Sequence, residues 1–595
     1  MRSLFAMTLL ALASHLAVAQ QPASPLRSVA SGTGLIAGRV VEAGSQTPVP
    51  EAIVTLWGPK GDEPRRVMVD GQGRFVFTGL AAGPYRLTSA QFEYLSGAFG
   101  ARRRDDDLAA INLTDGQRFT EATIPMFRLA SIKGRVVDEA GEPVVGVKVL
   151  ALERVVRNGQ PQLIPVFDGG TIRLFTTDDR GAYRASLLPP GDYTVAVPST
   201  VSTFPVEVVQ TAQENRLDLG VSEVARLGDS RYLQVGNQVV ATMSGRPIPR
   251  ARDGSPISVY ETTFFPGTPI VDQASVVSLT AGETRPGIDV RIVATPTVQV
   301  SGQLLGADGP LPLTQFRVVR AGGTQATEFY GLEAATGITD ARGNFLLFGM
   351  PRGSYILRVD VSRPATPPRT RPVRLAAVRE FTVANTDVAD VVVNVQPWAT
   401  VTGHVEVRGQ PIAASAMMLR VSGTNRGFEG RVGQDLSFAI ELPPGRYLLL
   451  VETPQGVCVS TSAGKDISDD LLEVAEKNIA DVRVVCSETR TRVSGVVRDD
   501  RGQLETSARV VVFPTDRSYW TAPNYRLRRN ISKWVTPEGT YEISDLPPGE
   551  YYVAAVSDNG GEWELAAFRD KVIPSAVKIT VGAGQSRSLD LQVVK

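Results

Sequence analysis

The stretch Leu546-Pro-Pro-Gly-Glu-Tyr551 decides the fold of this chain of 595 residues. Proline restricts φ to about −65° and glycine accepts positive φ values, so Pro-Pro-Gly between apolar segments predicts a tight connection between two strands. The segment that follows, Tyr551-Tyr-Val-Ala-Ala-Val556, has the apolar alternation of a strand with one buried face. We therefore predict a strand that begins at Tyr551, with a buried ring whose hydroxyl locks the corner through a backbone hydrogen bond.

The same turn occurs four more times along the chain, and an internal repeat of this kind indicates a string of similar modules. The copy that begins at Gly79 is the loosest, while Leu188-Pro-Pro-Gly-Asp-Tyr193 is close to the first pattern. The residues that we predict to be structural at these turns are Tyr85, Tyr193, Tyr355, Tyr447, Gly549 and Tyr551.

Two further signals precede each turn. One is a hairpin pattern that ends in an aromatic residue, as in Asp178-Asp-Arg-Gly-Ala-Tyr183. The other is a short β-rich segment with one internal glycine, which predicts a bulge or a close approach of another backbone. These opening segments are Ile36-Ala-Gly-Arg-Val40, Ile132-Lys-Gly-Arg-Val136, Val300-Ser-Gly-Gln-Leu304, Val401-Thr-Gly-His-Val405 and Val493-Ser-Gly-Val-Val497.

The repeat divides the chain into five β-sandwich modules, as expected of a sequence too long for one hydrophobic core. We predict an insertion in module 2 that is a long, partly ordered excursion without a domain of its own. No long amphipathic helix is evident, and 469–477 is the best short helical candidate, so the predicted fold class is all-β. The predicted modules are 33–128, 129–295 with the insertion at 207–262, 296–397, 398–487 and 488–595.

The order of opening glycine, hairpin aromatic and Leu-Pro-Pro-Gly-x-Tyr resembles the carboxypeptidase regulatory-like domain. This resemblance implies tandem Greek-key β-sandwiches of the transthyretin (prealbumin)-like, immunoglobulin-like type, with about seven strands each. The pattern is also similar to the B-type repeats of Gram-positive surface proteins. In metallocarboxypeptidases the module lies beside a separate zinc-dependent catalytic domain, so the resemblance implies no activity of its own. It implies stalks, adhesion elements or accessory domains, in a fold grouped with carbohydrate-binding sandwiches.

The N-terminus has the features of a secretory signal peptide at 1–19. Arg2 precedes an apolar run, and the small residues Ala17-Val-Ala19 come just before Gln20. The run is too short for a comfortable membrane span, and we expect no span after the signal is removed. We therefore predict an extracytoplasmic protein, periplasmic or secreted. Acidic and basic residues balance at 62 each, which argues against nucleic acid as a partner.

Two histidines, His15 and His404, are too few for the usual hydrolases. A zinc peptidase needs several imidazole and carboxylate ligands, and a Ser-His-Asp or Cys-His arrangement needs a base. His404 alone remains after removal of the signal peptide, and its place in an opening strand indicates a surface position. We predict no catalytic residue, metal or cofactor.

The chain has two cysteines, Cys458 and Cys486. In an oxidising compartment we expect a disulfide that closes a loop of about 28 residues. Two buried free thiols are the alternative.

The best candidate for binding is an aromatic and basic loop in module 5. Exposed aromatic faces and guanidinium groups stack on and hydrogen-bond to sugar rings or peptides. The alternative is that these aromatics only cover the end of the sandwich. The candidate residues are Tyr519, Trp520, Tyr525, Arg526, Arg528, Arg529 and Trp534.

The sequence thus predicts an exported, non-catalytic multi-module protein with a structural or binding role at the cell envelope. Its partner would be carbohydrate or an envelope protein, and the oligomeric state stays open. One alternative is an accessory protein of a carboxypeptidase system that lacks its own catalytic domain. Another is a hydrolase that uses paired carboxylates alone, as glycosidases do.

Overall fold

In the computed structural model the chain forms two compact units, residues 1–129 and 130–595. The predicted signal peptide at 1–19 lies outside the described residues and stays a prediction. No helix in the described ranges is long and apolar enough to cross a membrane. The structure describes residues 32–59, 63–101, 109–157, 159–168, 170–215, 232–242, 257–321, 332–363, 372–423, 427–453, 457–475, 477–487, 491–521, 528–536, 538–557 and 562–594.

The predicted all-β fold of tandem β-sandwich modules is confirmed, and every module repeats one topology. In one sheet, the opening strand pairs antiparallel with the strand that precedes the corner and parallel with a closing strand. In the other sheet, a second strand pairs antiparallel with a third strand and with the strand that begins at the corner. The two sheets enclose the core of the module.

The first sheet is built from three kinds of strand. The opening strands are Gly34–Glu42, Ala130–Val137, Ala294–Gly306, Ala399–Arg408 and Arg492–Arg498. The strands that precede the corner are Arg74–Leu80, Ala182–Leu188, Asn344–Pro351, Ser437–Leu442 and Thr540–Ser544. The closing strands are Arg118–Met126, Thr284–Arg285 with Val290–Arg291, Val388–Asn394, Ile479–Ser487, and Ser586–Ser588 with Leu591–Val594.

The second sheet has four kinds of strand. The second strands are Ile53–Trp57, Lys148–Arg157, Gln315–Arg320, Met418–Gly423 and Ala508–Pro514. The third strands are Arg65–Met68, Gln160–Pro165, Ala335–Ile338, Gly427–Arg431 and Ile531–Trp534. The corner strands are Gly83–Ala90, Gly191–Val197, Gly353–Arg363, Gly445–Glu452 and Gly549–Ser557. Their outer partners are Gly97–Ala98 with Ile111–Leu113, Thr263–Phe264 with Val277–Leu279, Val373–Val383, Leu472–Val474 and Val577–Val581.

The remaining elements are short or belong to the insertion. Short strands are Phe167–Asp168, Thr171–Ile172, Phe175–Thr176, Gly309–Pro310, Gln396–Pro397, Val457–Ser462 and Lys465–Asp466. Strands in or next to the insertion are Val201–Pro205, Tyr232–Val235, Gln238–Thr242 and Ser258–Tyr260. The α-helices are Val206–Asn215 and Ala566–Val572, and the 3₁₀ turns are Val271–Gln273, Ala414–Ala416, Arg517–Tyr519, Glu562–Glu564 and Ile573–Ser575.

The glycine of each opening strand marks a close backbone approach, as its position inside a strand predicts. A Cβ at Gly495 would lie 1.9 Å from the carbonyl oxygen of Leu589, at the closing end of the same module. The corresponding distance is 1.8 to 2.1 Å in the other four modules. Only glycine lets the opening and closing segments come this close. The contacts are Gly38 to Ala122, Gly134 to Ile288, Gly302 to Val391 and Gly403 to Val482.

Five large hydrophobic clusters lie in the described residues, and each draws on one module. The numbered module boundaries stay a prediction. In module 4 the core includes Cys458 and Cys486, which face each other on adjacent antiparallel strands and form a disulfide. The segment 469–477 is not the helix that its sequence favoured, because Leu472–Val474 pairs as a strand with the corner strand of module 4.

The described parts of the insertion pack on module 3. Strand Val201–Pro205 pairs parallel with Ala335–Ile338 of module 3. On its other edge it pairs antiparallel with Gln238–Thr242. These two strands extend the second sheet of module 3. Val208 of the following helix packs with Phe204 and with Ile338 of module 3. The insertion thus ties module 2 to its neighbour.

Candidate functional site

The tyrosine of every corner makes the same local hydrogen bond. Each of the five rings is buried, and each hydroxyl donates to the backbone carbonyl four residues earlier. The distance ranges from 2.6 Å at Tyr551, which bonds to Pro547, to 3.0 Å at Tyr85. The intervening values belong to Tyr193, Tyr355 and Tyr447, at 2.7, 2.8 and 2.9 Å. The turn is therefore closed by its own tyrosine in each module.

The glycine of the last corner is needed for two reasons. Gly549 has a φ of +158°, which residues with a side chain rarely adopt. A Cβ there would also lie 2.8 Å from Nη1 of Arg529. Gly549 thus leaves room for a guanidinium group beside the corner.

The central aromatic residue of the predicted site in module 5 is buried inside the module. Trp520 is only 2% exposed, so the expectation of an exposed ring is wrong at this position. Its indole N–H donates to the carbonyl of Pro514 at 2.8 Å, and its ring meets Phe513 edge-on. A ring held in this way cannot stack on a sugar.

A buried arginine packs against these aromatic rings. Arg569, on helix Ala566–Val572, is 0% exposed and donates from Nε to the carbonyl of Trp563 at 3.0 Å. Its Nη1 donates to Oδ1 of Asn530 at 2.7 Å. The guanidinium also lies 5.4 to 5.8 Å from the ring centroids of Phe513, Trp520 and Trp563. These contacts replace the water that the buried charge has lost.

The other predicted binding residues are half-buried or lie outside the described residues. Tyr519 and Trp534 are half-buried, and the ring of Trp534 lies 4.4 Å from the guanidinium of Arg509. Arg528 is half-buried. Tyr525 and Arg526 lie outside the described residues. The structure thus brings Arg529 against the ring of Tyr519, while Trp520 lies in a separate hydrophobic cluster, so the predicted residues do not form a row of free aromatic faces.

Arg529 links module 5 to module 4. It donates from Nη2 and Nε to Oδ2 of Asp469 in module 4, at 2.8 and 3.2 Å. It also donates from Nη1 to the hydroxyl of Tyr551, at 3.1 Å. Both side chains of the ion pair are 17% exposed. Burial disfavours the charged form of Arg529, but the charge of Asp469 and the hydrogen bond to it, together with smaller contributions from Tyr551 and Tyr519, raise the pKa of the guanidinium above its ordinary value.

The junction between modules 2 and 3 has the same design. Arg320 of module 3 forms an ion pair with Glu261, at the end of module 2's insertion. Its Nη2 also lies 3.5 Å from the hydroxyl of the corner residue Tyr355, and its guanidinium lies 5.4 Å from the centre of that ring. An arginine again joins the corner of one module to a carboxylate of the module before it.

The junction between modules 3 and 4 uses aromatic rings. The guanidinium of Arg374 in module 3 lies 4.9 Å from the ring centre of Trp398, the first residue of module 4. The ring of Trp398 meets Phe428 edge-on at 5.7 Å, and Phe428 meets the corner residue Tyr447 edge-on at 5.9 Å. We call Arg320, Arg374 and Arg529 the junction arginines. Sequence reasoning missed all of these contacts, and of the junction arginines it named only Arg529, as a candidate binding residue.

Two concave sites lie beside these junctions. A cavity of about 260 Å³ opens between modules 2 and 3, and its lining includes Arg320, Glu261 and Tyr355. A groove between modules 4 and 5 is lined by Arg528 and Arg529 together with polar residues of module 4. Concave sites at module interfaces are where small ligands commonly bind.

His404 is exposed on its opening strand. The described residues contain no cluster of three or more histidine, cysteine or acidic side chains that could hold a metal ion.

The family model of the carboxypeptidase regulatory-like domain matches residues 35–124 and 131–221. The second match ends inside the insertion, although module 2 continues through Val290–Arg291. A comparison with curated proteins gives no match.

Among solved structures, the chain is similar to the TIE protein of Bacillus anthracis, with 12% identity over 73% of this chain and 69% of that chain, and a TM-score of 0.14. It is also similar to BcpA, the major pilin subunit of Bacillus cereus, with 11% identity over 61% of this chain and 99% of that chain, and a TM-score of 0.15. A third similar structure is GBS52, the minor pilin of Streptococcus agalactiae, with 13% identity over 44% of this chain and 98% of that chain, and a TM-score of 0.21. Residues 35–124 and 131–221 are thus tandem carboxypeptidase regulatory-like domains by their family match, and the three later modules repeat the same strand topology.

Proposed function

We propose that this chain is an exported, non-catalytic protein that serves as a stiff multi-module structural element at the cell envelope. The observation that carries the proposal is the set of junction arginines, which connect the corner of one module to the module before it. A chain of independent domains would have few such contacts, because domain boundaries normally fall in exposed linkers.

The contacts at the junctions are of the kind that resists bending. The carboxylate and guanidinium groups at two junctions are mostly buried, and breaking a buried pair by removing one partner costs about 3–5 kcal/mol. Exposed ion pairs contribute much less. A further connection is the pairing of strand Val201–Pro205, next to the insertion, with strand Ala335–Ile338 in the second sheet of module 3.

Modules 2 and 5 also touch. The backbone N–H of Gly159, in the hairpin between Lys148–Arg157 and Gln160–Pro165, donates to Oε2 of Glu564 at 3.2 Å. A Cβ at Gly159 would lie 2.1 Å from the carbonyl oxygen of Trp520. Modules 2 to 5 are therefore linked by more than their order in sequence, which supports a structural role.

Export is tested by expressing the full chain in a Gram-negative host and sequencing the N-terminus of the mature protein. We expect protein in the periplasm or the medium that begins at Gln20. A matched chain with Leu9→Arg and Leu10→Arg, which interrupts the apolar run, should stay in the cytoplasm uncleaved. Uncleaved wild-type protein in the cytoplasm would overturn the proposed location and with it the envelope role.

Carbohydrate binding is a second candidate function, favoured by the groove between modules 4 and 5. Arg528 and Arg529 line this groove with Asp466, Ser468 and Arg408, and such groups hydrogen-bond well to sugar hydroxyls. The test is a glycan array with a peptidoglycan pull-down. Binding that Arg528→Ala abolishes and the surface control Arg501→Ala retains would support recognition in the groove. Absence of binding by the wild type would rule out the second candidate and retain the structural role.

A further inference from the structure

The cavity between modules 2 and 3 has an apolar wall that joins both modules. Module 2 contributes Phe264 and Val271, and Leu332 of module 3 lies with them in one hydrophobic cluster. Val201 and Val259, from the strands next to and within the insertion, complete this wall. All five side chains are buried. A ligand in the cavity would therefore exchange water for apolar contact over most of its surface.

Two opposite charges lie side by side on the remaining wall. Arg320 and Glu261 are the charged members of the described lining, and their side chains are 26% and 15% exposed. Their mutual contact uses one guanidinium nitrogen and one carboxylate oxygen. A guanidinium has five N–H donors and a carboxylate about four acceptor positions, so each group keeps hydrogen-bonding capacity beyond this pair.

We propose that this cavity binds a free α-amino acid with an apolar side chain. The ligand's carboxylate accepts hydrogen bonds from Arg320, and its ammonium group donates to Glu261. The apolar side chain lies against the wall of Phe264, Val271 and Leu332. A ligand with only one of the two charges meets a like charge in the cavity as well as an opposite one, so the pair favours the zwitterion.

The size of the cavity agrees with this class of ligand. Its volume of about 260 Å³ is that of roughly eight or nine waters at about 30 Å³ each, which suits leucine or phenylalanine better than a disaccharide. The mostly apolar lining also disfavours a sugar, whose hydroxyl groups would lose water without partners. This site does not depend on the structural role proposed above, and either can fail alone.

Isothermal titration calorimetry with the mature chain tests the proposal. We expect saturable 1:1 binding of L-leucine or L-phenylalanine. The analogues 3-methylbutylamine, which lacks the carboxylate, and 4-methylpentanoate, which lacks the ammonium group, should each bind at least about tenfold more weakly. Heats that are absent for every apolar amino acid up to about 10 mM would overturn the proposal. So would equal binding of the singly charged analogues.

Three variants distinguish ligand binding in the cavity from the loss of an ion pair between modules. Glu261→Gln should weaken leucine binding at least about tenfold, whereas Asp469→Asn, the matching change between modules 4 and 5, should leave it within about twofold. Ala334 also lines the cavity, and Ala334→Leu adds volume there while it leaves both charged residues unchanged, so it should abolish binding while the melting temperature stays unchanged or rises. Full binding by Ala334→Leu would place the ligand elsewhere and overturn the assignment.

Discussion

The replacement Tyr551→Phe tests the corner of module 5. It keeps the buried ring and removes only the hydroxyl, which donates to the carbonyl of Pro547 at 2.6 Å and accepts from Arg529 at 3.1 Å. The carbonyl and one N–H then lose a partner inside the protein. A buried polar group left without its hydrogen bond costs about 1–3 kcal/mol.

We expect the free energy of unfolding of module 5 to fall by about 1–3 kcal/mol in this variant. A domain of this size loses about 4–8 °C in melting temperature per kcal/mol. Because the chain has several modules, the measurement is hydrogen exchange of strand amides followed by mass spectrometry, which reports each module separately. The loss should appear in module 5 and leave module 1 unchanged.

The matched control is Tyr552→Phe, at the next position of the same strand. The hydroxyl of Tyr552 makes no hydrogen bond to any residue within the described ranges, so its removal should change stability by less than about 0.5 kcal/mol. Equal protection of module 5 in wild type and Tyr551→Phe would refute the reasoning, and so would equal losses in the two variants.

Four further outcomes follow from the same structure. Burial raises the pKa of Tyr551 to about 12, so its contribution to stability is complete below the unfolded value of about 10 and is lost as the pH rises through 12. An alkaline unfolding titration should therefore be flatter for Tyr551→Phe. Gly495→Ala should cost about 1–3 kcal/mol, because its Cβ would lie 1.9 Å from the carbonyl oxygen of Leu589, while Gly427→Ala, with nothing within 4 Å, should cost far less in the same urea melt. Reduction of the Cys458–Cys486 disulfide, which closes a loop over 28 residues, should destabilise module 4 by about 3–4 kcal/mol in calorimetry with and without reductant. His404→Ala, at an exposed position, should shift stability by no more than about 0.5 kcal/mol, and a larger shift would contradict its surface placement.

The features that could be predicted from the sequence are those set by short stretches of chain. The hydrogen bond of Tyr551 reaches a carbonyl only four residues away, so the turn motif alone contains both partners. The hairpin that leads to Tyr183 is equally local, because Oδ1 of Asp178 accepts from the N–H groups of Arg180 and Ala182. The glycine of each opening strand was informative because a strand tolerates glycine poorly unless another backbone comes near.

The features that sequence reasoning missed depend on contacts between distant residues. Arg320 lies 59 residues from Glu261, and Arg529 lies 60 residues from Asp469. No spacing rule connects such partners, because the distance between them is set by how two modules dock. The burial of Trp520 was missed for the same reason. Its cover includes Trp563 and helix Ala566–Val572, more than 40 residues later.

The central claim is that the junction arginines hold neighbouring modules in a fixed arrangement, and single-molecule fluorescence transfer between modules 4 and 5 tests it most directly. Dyes on bio-orthogonal residues at the exposed positions Glu429 and Lys533 leave the disulfide intact. We predict one narrow distance distribution for the wild type and a broad one for Asp469→Asn, which removes the charge that Arg529 contacts. A distribution that is already broad in the wild type, or equally narrow in the variant, would contradict the claim.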